Sequence, residues 1–160
     1  MGDLTHFDAQ GNASMVDVGQ KDRTKRQATA AGRIRMSAEC YQAVRQGGTR
    51  KGDALGVARV AGIMAVKRTY DMIPLCHALP IEQASVDFEF DDGACSIAAL
   101  CTVKTTGVTG VEMEALTGVA IALLTLYDMC KAMDKGMEMG EIHLVKKTGG
   151  KSGAYEHRRA

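Results

Sequence analysis

The chain has 160 residues, 46% of them apolar, and a formal net charge of +1 from 20 basic and 19 acidic residues. This length suits one domain with its own core, and this apolar content excludes a disordered chain. The charge balance excludes a global basic field that would draw the protein to nucleic acid or a membrane, so any anion site must be local.

In chain order, residues 1–27 read as a polar, irregular arm. Asp3, His6 and Asp8 leave no apolar segment for a signal peptide. Later in the arm stand Lys21, Arg23, Lys25 and Arg26. Residues 28–36 alternate, with Ala30, Ile34 and Met36 against Thr29, Arg33 and Arg35, which predicts a half-buried strand. Ser37 can cap a helix over 38–46, and Gly47-Gly48 ends it. Asp53 can cap a second helix running to about Tyr70. Its face of Ala54, Val57, Ala58, Ala61 and Ala65 is small, so a neighbour should pack closely there. Pro74 stops the element.

Val86, Phe88 and Phe90 alternate with Asp87 and Glu89 in a strand, and the phenylalanines are expected in the core. Asp91-Asp92-Gly93 reads as a hairpin turn. The return strand, 94–103, puts Cys95, Ile97, Ala99, Cys101 and Val103 on one face. A long apolar helix follows over about 111–133, with Thr109-x-x-Glu112 fitting a capping box. Its longest apolar stretch, 119–127, is shorter than the ~20 residues that span a bilayer. A last strand, about 141–146, leads into a glycine-rich tail. The order β-α-α-β-β-α-β predicts an α+β fold of the split βαβ, ferredoxin-like kind. It would have an antiparallel sheet with helices on one face, and a partner subunit over the other face if that is apolar.

Five cysteines, Cys40, Cys76, Cys95, Cys101 and Cys130, form no C-x-x-C pair, which suggests reduced thiols in a cytoplasmic protein rather than a disulfide framework or zinc knuckle. Trp is absent and aromatics are few, which argues against stacking platforms for single-stranded nucleic acid.

Asp128 and Lys131, three apart on the long helix, lie side by side. The spacing suits a surface ion pair, and equally a carboxylate and an amine held rigidly for proton transfer. Lys51-Gly52-Asp53 enters a helix start, where backbone N–H groups attract anions; an ordinary basic loop would look the same. Glu114 and Asp128 are 14 residues apart on one helix, so at 1.5 Å per residue they stand roughly 21 Å apart. If both matter, the site reaches different ends of a substrate or joins two chains. Lys147-Thr148-Gly149-Gly150-Lys151-Ser152-Gly153 matches only the end of a phosphate-loop motif. The earlier glycine position is Val145 and no helix follows, so a Walker-type site is rejected. A glycine loop with two lysines can still close over phosphates; a disordered tail is the alternative. The combination points to an enzyme that works with lysines and carboxylates on a phosphate-bearing small molecule.

Several strings together carry a resemblance. They are Met15-Val16-Asp17-Val18, Lys51-Gly52-Asp53, Ala58-Arg59-Val60-Ala61-Gly62-Ile63, Ile73-Pro74-Leu75-Cys76-His77, the run from Thr109 to Thr117, Tyr127-Asp128-Met129-Cys130-Lys131-Ala132, and the Lys147–Gly153 tail. Over about residues 4–153 the chain resembles the cyclic pyranopterin monophosphate synthases of molybdenum cofactor biosynthesis. The resemblance implies a phosphorus–oxygen lyase. Its substrate would be 3′,8-cyclo-7,8-dihydroguanosine triphosphate, and its products cyclic pyranopterin monophosphate and pyrophosphate. It also implies Asp128, Lys131 and Lys51 as catalytic groups. Leu75, Cys76, His77, Met113 and Glu114 become substrate-binding, with Glu112 in the same site and Arg26 and Lys147 as candidate phosphate contacts.

No cofactor is implied, and a magnesium ion carried by the substrate's phosphates is the one metal this reading admits. The implied assembly is a homohexamer, a trimer of dimers with the site at the dimer interface, and no nucleic acid or membrane partner is expected. Ala78 stands where the family usually has Pro, and Gly19 where it often has Ser; neither change removes a candidate catalytic group. The alternative is a non-catalytic pterin- or nucleotide-binding subunit of the same fold. An RNA-binding domain would need exposed aromatics on its central strands.

Overall fold

The computed structural model describes residues 10–47 and 51–157. Asp3, His6, Asp8 and Gly48 lie outside them. The elements run β1 (Thr24–Arg35), α1 (Ala38–Arg45), α2 (Ala54–Lys67), α3 (Thr69–Met72), β2 (Ile81–Asp91), β3 (Ser96–Gly107), α4 (Glu112–Cys130), β4 (Glu138–Thr148) and β5 (Tyr155–Glu156). The fold is α+β. One antiparallel sheet has the order β2-β3-β1-β4-β5.

Helix starts follow the local chemistry. The Ser37 side chain accepts from the Cys40 N–H, and Asp53 Oδ1 accepts from the Gly56 N–H at 2.8 Å, each relieving an orphan donor. Helix α2 stops earlier than its apolar pattern suggests. The Thr69 hydroxyl donates back to the carbonyls of Ala65 and Val66, and the chain resumes as the short α3. Ile73, before Pro74, is extended. The capping box at α4 does not form. The N-cap is Val111, without a side-chain bond, and the Glu112 carboxylate faces Lys147 instead.

Helix α4 is the centre of the core. Ala115, Val119, Ala122, Leu126 and Cys130 recur at helical spacing and are fully buried. By length and composition α4 could cross a membrane, despite the short apolar stretch read at 119–127. Its packing on β1, β3 and α2 makes it a core helix. Gly62 of α2 and Gly118 of α4 set how close the two helices come. A Cβ on Gly62 would lie 2.9 Å from the Gly118 carbonyl oxygen, and one on Gly118 would lie 2.6 Å from Cys101 Sγ. The small-residue face of α2 is thus rotated from the expected one: Ala54, Ala58, Gly62 and Ala65 are buried, while Val57 is exposed.

On the sheet, Ile97, Ala99, Cys101 and Val103 face the helices as their alternation requires, but Cys95 sits in the hairpin turn at φ 45°. Phe88 packs partly against the core beneath Arg59. Phe90 is exposed at the hairpin end, edge-on to Tyr41 and beneath Arg45. The opposite face carries a polar network rather than an apolar one: Thr29 with Thr102, and Arg33 with Asp91, Ser96 and Glu141. Strand β1 begins at Thr24, inside the stretch read as an irregular arm, and the tail forms β5 against β4 rather than trailing free.

Overpacking a close helix contact typically costs about 1–3 kcal/mol. Gly62→Val should therefore lower Tm by several degrees in a scanning calorimeter. An unchanged Tm would mean that the helices do not meet at this pair.

Candidate active site

Two clefts open side by side near the start of α4. The first, of about 540 Å³, is lined by Lys21, Asp22, Thr24, Arg26, Val108, Thr109, Gly110, Glu112, Lys147, Gly150, Lys151 and Ser152. Four cationic side chains face two carboxylates there, so the cleft favours an anion. Arg26 is held by its donation to the carbonyls of Gly107 (3.2 Å) and Val108 (3.3 Å). Lys147 Nζ lies 3.6 Å from Glu112 Oε1 and also contacts Ser152. The glycine loop closes against β1 because its backbone can do what no side chain allows. Gly149 and Gly150 sit at φ 88° and 78°, and a Cβ on either would strike Lys25 or Arg26.

The second cleft, of about 320 Å³, is lined by Val16, Val18, Lys21, Leu75, Cys76, His77, Leu79, Thr109, Gly110, Met113 and Glu114. It is mostly apolar, with one buried carboxyl. Glu114 is only 4% exposed. Burial, reinforced by the charge of nearby Glu112, pushes its carboxyl up to about 7. Burial, and then Glu114 itself, raises the Cys76 thiol. The clefts share Lys21, Thr109 and Gly110, so they form one continuous depression with an anionic-ligand end and an apolar end.

A third cluster forms at the other end of α4. Lys131 Nζ is 2.7 Å from Asp128 Oδ1, and Lys51 Nζ is 3.2 Å from Asp128 Oδ2. Lys51 Nζ also donates to the Asp128 backbone carbonyl at 2.9 Å. The hydrogen bonds from Lys131 and Lys51 hold the Asp128 carboxyl below its usual range, and Asp128 in turn raises the Lys131 ammonium. The cluster is exposed: an ionised carboxylate aims two ammonium groups outward. Spacing revealed the pair on α4. Its third member comes from the loop before α2, which packs α2 and Lys51 against the end of α4.

Of the candidates read from the sequence, Lys51, Asp128 and Lys131 thus come together. Leu75, Cys76, His77, Met113 and Glu114 share the second cleft, and Arg26, Glu112 and Lys147 the first. The two groups lie at opposite ends of α4, whose rise puts about 21 Å between Glu114 and Asp128. Lys21 is not singled out by the sequence as a site residue, and Lys151 only as one of the two lysines of the glycine loop. The basic run from Lys21 to Arg26 and the glycine tail were the available signals, but neither says which cation turns inward.

The MoaC family model matches residues 15–150, a stretch that holds every candidate above except Lys151. The chain belongs to the MoaC family. It is 57% identical over 152 residues to the cyclic pyranopterin monophosphate synthase of Clostridium botulinum (strain Alaska E43 / Type E3), covering 95% of this chain and 96% of that one. It is also 57% identical, over the same shares, to the enzyme of that name from Clostridium perfringens (strain 13 / Type A). With that from Heliobacterium modesticaldum it shares 56% over 155 residues, 97% of this chain and 98% of the relative.

The buried Glu114 has a consequence for stability. Its folded pKa is raised, so its contribution is fully present below about 4.5 and is lost as pH rises through about 7. Glu114→Gln removes the buried charge. It should raise Tm at pH 8.5 by a few degrees and leave it nearly unchanged at pH 4. A uniform shift across a pH series of melting curves would mean the carboxyl is not desolvated.

Proposed function

We propose that this chain is a lyase of molybdenum cofactor biosynthesis. It converts 3′,8-cyclo-7,8-dihydroguanosine triphosphate into cyclic pyranopterin monophosphate and pyrophosphate. Membership of the MoaC family along nearly the whole chain carries this reading, and the geometry is consistent with it. The cationic cleft suits the triphosphate: Lys21 binds the phosphate chain, and Arg26, Lys147 and Lys151 offset the charge that grows on a leaving pyrophosphate when the remaining phosphate cyclises. The apolar cleft suits the ring system, with Leu75, Cys76, His77 and Met113 around it and Glu112 and Glu114 offering carboxyl groups to its polar edge.

Ring opening and reclosure need protons delivered to and removed from nitrogen, oxygen and carbon. Lys51 and Lys131 deliver protons as ammonium groups and, as the amines left behind, take protons up again, and Asp128, ionised between them, holds both at the reacting end. No resident cofactor enters these steps; a magnesium ion would arrive with the phosphates.

A straight α4 cannot bring one chain's lysine cluster to its own clefts. The cluster therefore completes the depression of a neighbouring copy, at the dimer interface of a homohexamer built as a trimer of dimers. Exposed Val57, Val60 and Met64 on α2, with Leu124 on α4, support burial against another copy. The order β2-β3-β1-β4 supports the ferredoxin-like reading of the protomer. Five free cysteines suit the reducing cytoplasm.

The test is turnover of the cyclic dihydro-GTP substrate, read as pyrophosphate release together with the fluorescence of the oxidised pterin. Binding without either product would point instead to a non-catalytic binding subunit. Asp128→Asn should leave the fold intact and lower kcat by about 100- to 10,000-fold; an unchanged kcat would remove Asp128 from the mechanism. Lys51→Ala and Arg26→Ala, each inactive alone, should regain part of the activity when co-expressed, because a mixed dimer assembles one intact site. Failure to complement, in oligomers shown to be mixed, would place all the groups within one protomer.

A further inference from the structure

The second cleft is closed on one side by a segment with no secondary structure of its own. Val16 and Val18 are half-buried and line the cleft, while Asp17 between them faces solvent. The chain then turns. Asp17 Oδ1 accepts from the Gly19 N–H at 2.8 Å, and the Val18 carbonyl accepts from the Lys21 N–H at 3.0 Å. The turn delivers Lys21 to the place where the two clefts meet. Beyond it, Arg23 donates to the Thr106 carbonyl at 3.1 Å and β1 begins at Thr24.

The far end of this strap is tied to the loop after Pro74 by a side-chain bond from His77 Nε2 to the Val16 carbonyl oxygen, at 2.8 Å. A carbonyl can only accept, so the ring nitrogen donates, and it does so in either the Nε2–H neutral form or the cation. His77 itself sits on the loop after Pro74, with Leu75 and Cys76, and lines the same cleft. Its bond therefore joins two of the segments that line the cleft.

We propose that His77 is a positioning residue. By pinning the Val16 carbonyl it holds residues 15–21 as a strap across the second cleft, and through the Val18–Lys21 turn it places the Lys21 ammonium at the junction with the anion-binding cleft. The proposal rests on the reading of these clefts as the substrate site. It assigns His77 an action on a neighbouring segment of its own chain, and Lys21 a place on the substrate's phosphate side. A loose strap costs substrate binding more than it costs chemistry, because Lys21 meets the phosphates in ground state and transition state alike.

The experiment uses the full chain with His77→Ala, His77→Gln, Lys21→Ala and the double variant His77→Ala/Lys21→Ala. Gln keeps an N–H donor that can reach a carbonyl; Ala does not. Amide hydrogen exchange of the Lys21 N–H, read without any ligand, should quicken roughly tenfold in His77→Ala, the equivalent of one lost hydrogen bond. It should return towards the native rate in His77→Gln, while β1 amides stay unchanged. In turnover, His77→Ala and Lys21→Ala should each raise KM by a similar factor with kcat held within a few-fold, and the double variant should be no worse than either. Unchanged exchange at Lys21 in His77→Ala overturns the pin. KM effects that multiply in the double variant overturn the link to Lys21. Absence of turnover by the unaltered chain would strike the proposed function instead, and the exchange measurement would still decide whether His77 holds the strap.

Discussion

Helix α4 is pressed against the sheet at every third or fourth residue, from Ala115 to Cys130, and against α2 at Gly118. A helix fixed in this way keeps its rise of 1.5 Å per residue, so the groups at its two ends are held about 21 Å apart. At its start lie Glu112, Met113 and Glu114 and the paired clefts; at its end lie Asp128 and Lys131. The same packing sets everything around it. Gly62 lets α2 come close enough that the loop before it brings Lys51 to the end of α4. Gly118 leaves room for the Cys101 side chain of the central sheet. One rigid element thus separates the paired clefts from the Lys51–Asp128–Lys131 cluster.

The three charged regions differ in their solvation, and this decides what each can do. Asp128 is exposed and bracketed by two ammonium groups, so its carboxyl is held below the usual range and it raises the Lys131 ammonium in turn. The first cleft gathers Lys21, Arg26, Lys147 and Lys151 around open space, with Arg26 braced by two carbonyls. Those cations lack enough carboxylates to neutralise them and so remain available to a phosphate chain. Glu114 is the reverse case. It is buried in an apolar wall, and with its pKa near 7 it can be neutral or charged near physiological pH as its surroundings change. A fold that keeps one carboxyl charged and another close to neutral along a single helix has separated two kinds of proton chemistry by environment alone.

Much of the framework was legible in local patterns. The caps Ser37 and Asp53, the stop before Pro74, the alternation of Ile97, Ala99, Cys101 and Val103, and the turn after Asp91 depend on residues a few positions apart. Short-range sterics and hydrogen bonds settle those. The Asp128–Lys131 pair was visible for the same reason, since helical spacing makes them neighbours. Where the pattern misled, a distant contact had prevailed. Glu112 turns to Lys147 rather than capping its helix. Phe90 lies at the sheet's end, exposed and touching only the rim of the core through Tyr41 and Arg45 of α1. The tail pairs with β4 as β5 because the positive-φ glycines let it fold back.

The sequence by itself thus determined the main elements and their order, all but α3 and β5, and the chemical character of the candidate groups, together with the family resemblance that those strings carry. Only the tertiary structure decided which groups meet: Lys51 with Asp128, 77 residues away, His77 with Val16, and Lys21 at the junction of two clefts. The physical reason is that spacing along a chain encodes neighbours only within one element, whereas these encounters are made by the packing of α2 on α4 and of loops on the sheet, which no local periodicity records.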